Sequence, residues 1–168
     1  MLKHESLRRA LVAANPSLGT DPDQLSVFID KGKLAARYGA KNSFQYEYRC
    51  VVIVTNFSGN PNHILFPTLL WVHENQREIL LNHGTADEAI TFDVVVLGEK
   101  LFDLTVEIQL TEAIDAEPRP GGFELVYRPE PPIDADFAIP ETPLLGQIWA
   151  NGELVCSRPA EGDAGQAG

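Results

Sequence analysis

LFDLTVEIQLTE, residues 101–112, alternates apolar and polar side chains without a break. Phe102, Leu104, Val106, Ile108 and Leu110 fall on one side, and Asp103, Thr105, Glu107, Gln109 and Thr111 on the other. Successive strand residues face opposite sides of a sheet, so this is an antiparallel strand with a core face and a wet face. A second strand-like run, residues 89–97, precedes it, and Gly98-Glu99-Lys100 closes the two as a hairpin. A sheet is thereby set, and the rest of the chain is read by how it covers or extends that sheet.

Residues 44–54 form another long strand. Phe44, Tyr46, Tyr48, Cys50, Val52 and Val54 share one face, and Gln45, Glu47 and Arg49 the other. Val51 and Ile53 make the second face apolar towards its end, which predicts cover on both sides there. Residues 24–30 alternate as a first strand, Lys31-Gly32 reads as a tight turn, and residues 33–38 as a short strand or a turn of helix. Residues 123–127 add one more strand.

Two segments carry helical spacing. In residues 2–14 the apolar positions Leu2, Leu7, Ala10, Leu11 and Ala14 make a stripe, with Arg8 and Arg9 off it. Ser6 caps this helix internally, or the helix starts at the terminus. Pro16 and Gly19 stop it, and Asp21-Pro22-Asp23 is a turn. Residues 63–76 are the second helix, with Leu65, Leu69 and Val72 on one face. Pro67 is tolerated best at a first helical position, so regular helix is expected to begin there rather than to kink through it.

These elements predict a single α/β (α+β) domain: a mostly antiparallel mixed sheet of five or six strands flanked by two helices. A chain of 168 residues with 44% apolar residues is long enough to bury a sizeable core. The core is assigned to residues 1–128. Residues 129–158 form an extended Pro-rich C-terminal arm with a terminal hairpin. Pro129, Pro131, Pro132, Pro140 and Pro143 deny it a ladder, and Asn151-Gly152 reads as a type I′ turn. Residues 159–168 have the small, acidic composition of a disordered tail.

Composition excludes several functions. The net charge is −11, split as +3 over residues 1–49 and −14 over residues 50–168. An acidic body argues against a nucleic-acid surface, which needs Lys and Arg for phosphate contacts. Charge asymmetry of this kind suits head-to-tail contact between copies. No stretch approaches the roughly 20 apolar residues of a membrane span, and no apolar segment follows Lys3, Arg8 and Arg9 as a signal peptide would require. Cys50 and Cys156 read as reduced thiols of a cytosolic protein.

Chemistry is equally sparse. His63, His73 and His83 are spaced by ten, not by the i, i+4 interval of a helical metal site. Asp93, Glu99, Asp103 and Glu107 gather around one hairpin, whereas a glycosidase pair projects into a cleft from separate elements. There is no nucleotide fingerprint and no nucleophile motif. No catalytic residue, cofactor or metal is assigned. Tyr46 and Tyr48 would suit sugar stacking in a carbohydrate-binding module, but they share a face with Phe44 and Val52, which favours the core. Trp71 and Trp149 read as packing or interface anchors.

What remains is a set of short blocks. They are MLKHESLRRAL at residues 1–11, VTNFSG at 54–59, PTLLWVHENQ at 67–76, LTE at 110–112 and NGELV at 151–155, with Phe102-Asp103 and Glu130-Pro131 between them. Together, in this order and spacing, they resemble the tail completion protein R family of contractile-tailed bacteriophages and related prophages or tail-like particles. Asn56 stands where that family often has an acidic residue, and His73 where it often has an arginine. The resemblance implies a virion part assembled in the bacterial cytoplasm, a tail terminator. It would form a homo-oligomeric ring of six subunits at the neck, end tube and sheath growth, and present the surface that joins the head. Implied partners are other copies of the chain, tail tube and sheath proteins, and head-side connector proteins. DNA would pass the lumen without specific binding. Another neck ring, such as a head-to-tail joining or sheath-capping protein, is the alternative. Arg8, Arg9, Trp149, Pro131 and Pro132 are the interface candidates.

Overall fold

The computed structural model describes residues 2–21, 23–36, 42–81, 84, 86–99, 101–130, 147–150 and 152–157. Along the chain these give α1 (Lys3–Ala14), α2 (Ser17–Thr20), β1 (Leu25–Ala36), β2 (Phe44–Phe57), α3 (Asn62–Asn75), α4 (Glu78–Leu81) and α5 (Ala86–Ala89). Then follow β3 (Ile90–Gly98), β4 (Leu101–Arg119), β5 (Gly122–Tyr127), β6 (Gln147–Ala150) and β7 (Glu153–Ser157). The expected α+β domain is present: a five-stranded antiparallel sheet with two main helices.

The sheet runs β1-β2-β4-β3, and β5 also pairs with β4. The alternating stretch at residues 101–112 lies in β4, the central strand. β2 covers one edge of β4 from Phe102 to Ile114, and β3 takes Leu101–Ile108 on the other. β5 pairs further along that same outer edge, at Ile114–Arg119. β4 thus extends beyond the expected 101–112, because residues 114–119 find a partner in β5. Pro120 and Gly121 make the turn between them, with Gly121 at φ +86°, the proline-then-glycine order of a type II turn.

One face of the sheet makes the core. Tyr48, Cys50, Val52 and Val54 of β2 and Phe102, Leu104, Val106, Ile108 and Leu110 of β4 bury against Leu7 and Leu11 of α1 and Ile64, Trp71 and Val72 of α3. The alternation predicted for both strands is the one observed. Val51, on the opposite face of β2, is also buried, and Ile53 half-buried, as expected.

Four local expectations are corrected. Lys31-Gly32 is no turn: β1 runs unbroken through it to Ala36, with a bulge between Ile29 and Lys31. The bulge accommodates the extra residue while Gly32 pairs with Tyr48, so one twelve-residue strand replaces a strand, turn and short element. The second helix begins at Asn62, not at Pro67, which lies inside it. A mid-helix proline leaves the carbonyl four residues back without its donor. Here that carbonyl belongs to His63, and the side-chain amide of Asn15 donates to it at 2.7 Å. The buried stripe of α3 is accordingly Ile64, Pro67, Thr68, Trp71 and Val72, not Leu65 and Leu69. In α1, Leu7 and Leu11 are buried as expected, but Leu2 is exposed at the N-cap position.

β6 and β7 form the expected terminal hairpin, with Ala150 paired to Glu153 and Gly152 at φ +82°. The rest of the Pro-rich arm beyond Glu130, and the 159–168 tail, lie outside the described residues.

Candidate functional site

Helix α1 has no side-chain cap of its own, so its first N–H groups need outside acceptors. Glu112 of β4, 4% exposed, supplies them. Its carboxylate accepts from the N–H of Leu2 at 2.9 and 3.0 Å and from that of Lys3 at 3.2 Å. The Tyr48 hydroxyl donates a short bond to the same carboxylate and meets the backbone of His4. A negative group under a helix N-terminus is favoured by the aligned peptide dipoles as well as by the hydrogen bonds. Burial, then the Glu112 bond and charge, push the Tyr48 phenol well above the usual tyrosine range. Ser6 does not cap the helix; its hydroxyl accepts the indole N–H of Trp71 at 3.1 Å.

Gln76 extends this node. It is fully buried at the end of α3. Its amide oxygen accepts from the N–H of Thr111 at 2.9 Å and from the Lys3 ammonium at 2.7 Å. Its amide nitrogen donates to Thr111 Oγ1 at 2.8 Å and to Glu78 at 2.7 Å. Thr111 falls between the stretches of β4 that β3 and β5 cover, so Gln76 serves a strand N–H in the gap. Lys3 also pairs with Glu130. Leu2 and Lys3, Gln76, Thr111 and Glu112, and Glu130, which belong to blocks scattered in sequence, therefore meet at one place.

The VTNFSG block meets Phe102-Asp103 in the same way. Asn56 adopts φ +51°, the left-handed region that Asn and Asp enter most readily. Its N–H donates to Asp103 at 2.8 Å. The rings of Phe57 and Phe102 stand edge to face, 5.4 Å between centroids. On the back of the sheet Arg49 lies between Asp30 and Glu107, the latter at 3.0 Å, and both partners hold its guanidinium protonated. Asp103 and Glu107 are thus structural acceptors on an open face.

These junctions do not form a reaction site. The groove beside Glu112, about 190 Å³ and lined by Leu2, Lys3, Tyr127 and Arg128 among others, is smaller than a typical ligand pocket. Among the described residues no group of three His, Cys, Asp or Glu is placed to hold a metal, and no helix is long and apolar enough to cross a membrane. Tyr48 is buried and Tyr46 packs against the core, so neither is a sugar platform. Cys50 is a buried thiol whose pKa burial pushes up to about 12.

Of the interface candidates, Arg9 is exposed and Arg8 half-buried on α1. Trp149 lies on β6, paired with Leu154. Pro131 and Pro132 lie outside the described residues. The sequence reading missed a more conspicuous surface. Phe92 and Val94–Leu97 of β3, and Phe123 and Leu125–Tyr127 of β5, are all exposed, Val96 to 74%. Residues 92–97 contain one charge, which marks the strand as apolar, and the sheet order puts that strand at the edge.

The arrangement is that of an assembly module, with buried polar junctions holding the scaffold and apolar strands along its outer edge. The chain matches the family model for P2 phage tail completion protein R (GpR) over residues 1–131. It is 34% identical over 155 residues to the tail completion protein R of Escherichia phage P2, covering 92% of this chain and 97% of that protein. No solved structure matches. This chain belongs to the P2 phage tail completion protein R family, whose members are structural components of the phage tail and not enzymes.

Proposed function

We propose that this protein completes the tail by closing into a ring, expected to hold six copies, at the head-proximal end. The ring stops growth of tube and sheath and presents the surface to which the filled head binds. The observation that carries this reading is the exposed outer edge of the sheet. A monomer rarely leaves a strand as apolar as β3 open to water, and such an edge is a ready site for another chain. An acidic subunit also suits a lumen that passes DNA, because it repels phosphate and lets the genome slide.

The test is assembly with and without the protein. Tails made in its absence should lose their uniform end and fail to join heads, as seen by electron microscopy. The purified chain should show a ring mass under native conditions or on tail tubes. Tails of normal length that join heads without it would sink the reading. Co-purification with portal protein rather than tube protein would move it to another ring of the neck.

A further inference from the structure

Three antiparallel pairings separate β1 from β3, the two ends of the sheet path, so those edge strands run in opposite directions. A second copy in the same orientation would therefore bring its β1 antiparallel to the first copy's β3. We propose that neighbouring subunits join in this way, β3 of one copy pairing with the Lys31–Ala36 half of β1 of the next, into one continuous antiparallel sheet. The proposal rests on the ring reading and names the surfaces that close the ring.

Charge and apolarity select this partner. Residues 86–100, which hold β3 and its flanks, carry Asp87, Glu88, Asp93 and Glu99 against a single base, Lys100. Residues 31–36 carry Lys31 and Lys33 and no acid. The faces correspond too. Lys33 pairs with Glu47 on the back of the sheet, the face that Asp93 shares, while Leu34, 61% exposed, lies on the helix side with Phe92. The register that sets Lys33 opposite Asp93 sets Leu34 opposite Phe92, covering two exposed apolar groups and pairing two opposite charges. Other occupants fit less well. Residues 131–157, the arm of a neighbouring copy, carry four acidic residues and no base, so they are repelled by an acidic edge. Pairing β3 with β3 across a two-fold axis would bring acidic edges together. The lysines on β1 also guard that edge against indiscriminate pairing while leaving it open to an acidic strand. A contact between two different edges is heterologous, which is the type a ring requires.

The test is a charge swap read by native mass and sedimentation at low salt. Lys33→Glu and Asp93→Lys should each weaken self-association about tenfold, since a reversal replaces attraction with repulsion across an exposed pair. The double variant carrying both should recover it, and high salt should narrow all three differences. Val95→Lys, at an exposed position that this register sets opposite Lys31, should block association while leaving the circular dichroism of the fold unchanged. Rings that persist in all these variants overturn the edge pairing but leave the ring reading standing. A closed dimer insensitive to Lys33 overturns it in favour of β3 with β3. A native chain that stays monomeric at every concentration, and on tail tubes, overturns both readings.

Discussion

The side chain of Asn15 does the work that the backbone of Pro67 cannot. Its amide donates at 2.7 Å to the carbonyl of His63, which in a proline-free helix would accept from residue 67. Asn15 is itself 7% exposed. A buried carbonyl without a partner costs about 1–3 kcal/mol. Asn15→Ala should therefore lower stability by about that amount in urea unfolding. In a Pro67→Ala background the restored N–H serves His63, and the same substitution should cost clearly less. Equal costs in both backgrounds would show that Asn15 acts elsewhere.

Glu112 should be the most sensitive polar residue of the core. Glu112→Ala leaves the N–H groups of Leu2 and Lys3 and the Tyr48 hydroxyl without their acceptor. The expected loss of unfolding free energy is about 3 kcal/mol or more, because three donors lose one acceptor, and urea unfolding measures it. Tyr48→Phe, which removes one hydroxyl and keeps the ring, should cost less. Hydrogen exchange should quicken first in the opening turn of α1.

The left-handed backbone at Asn56 predicts an order of tolerance. Asn56→Gly should be close to neutral, and Asn56→Val should cost about 1–2 kcal/mol, because a β-branched side chain crowds the carbonyl there. Thermal unfolding of the two variants checks the order.

Burial raises the Cys50 thiol from 9.0 to about 12 and the Tyr48 phenol further still. The unfolded chain therefore gives up these protons at lower pH than the folded one. Their contribution is complete below about pH 9 and declines as pH rises towards 12. Stability should fall across that window, and less steeply in Cys50→Ala. In a Cys156→Ser background, Cys50 should resist alkylation at neutral pH until denaturant is added.

Reversing Arg8 and Arg9 to Glu tests the basic segment on α1 as a contact with a neighbour or the tail tube. Association should weaken at low salt, with the fold intact, and the difference should shrink as salt rises. Tails of normal length from this variant at low salt would mean that the two arginines are solvated surface.

The strands were legible because alternation is a local signal: Phe102 to Leu110 carries its core face in the order of its residues. The helix through Pro67 was not, because its rescue comes from Asn15, 48 residues away. Gly32 misled for a related reason. A Lys-Gly pair suggests a turn, but the bulge before Lys31 and the pairing of Gly32 with Tyr48 keep it in a strand. The blocks that resembled a family were plain as text. Their physical meaning, a shared node of Leu2, Lys3, Gln76 and Glu112, needed three dimensions. The exposed apolar edge was missed because composition marks a strand as apolar without saying which strand lies outermost.

The acceptor for the N–H of Leu2 is encoded 110 positions downstream. On a ribosome, the first helix emerges early and its anchor late. Until the middle of β4 has left the exit tunnel, α1 has no fixed beginning and the end of α3 has no strand N–H to hold. A prematurely terminated chain lacks both, together with β5. The long reach from Leu2 to Glu112 thus ties the first turn of the chain to a residue far along it, and a chain cut before Glu112 has no acceptor there for that turn.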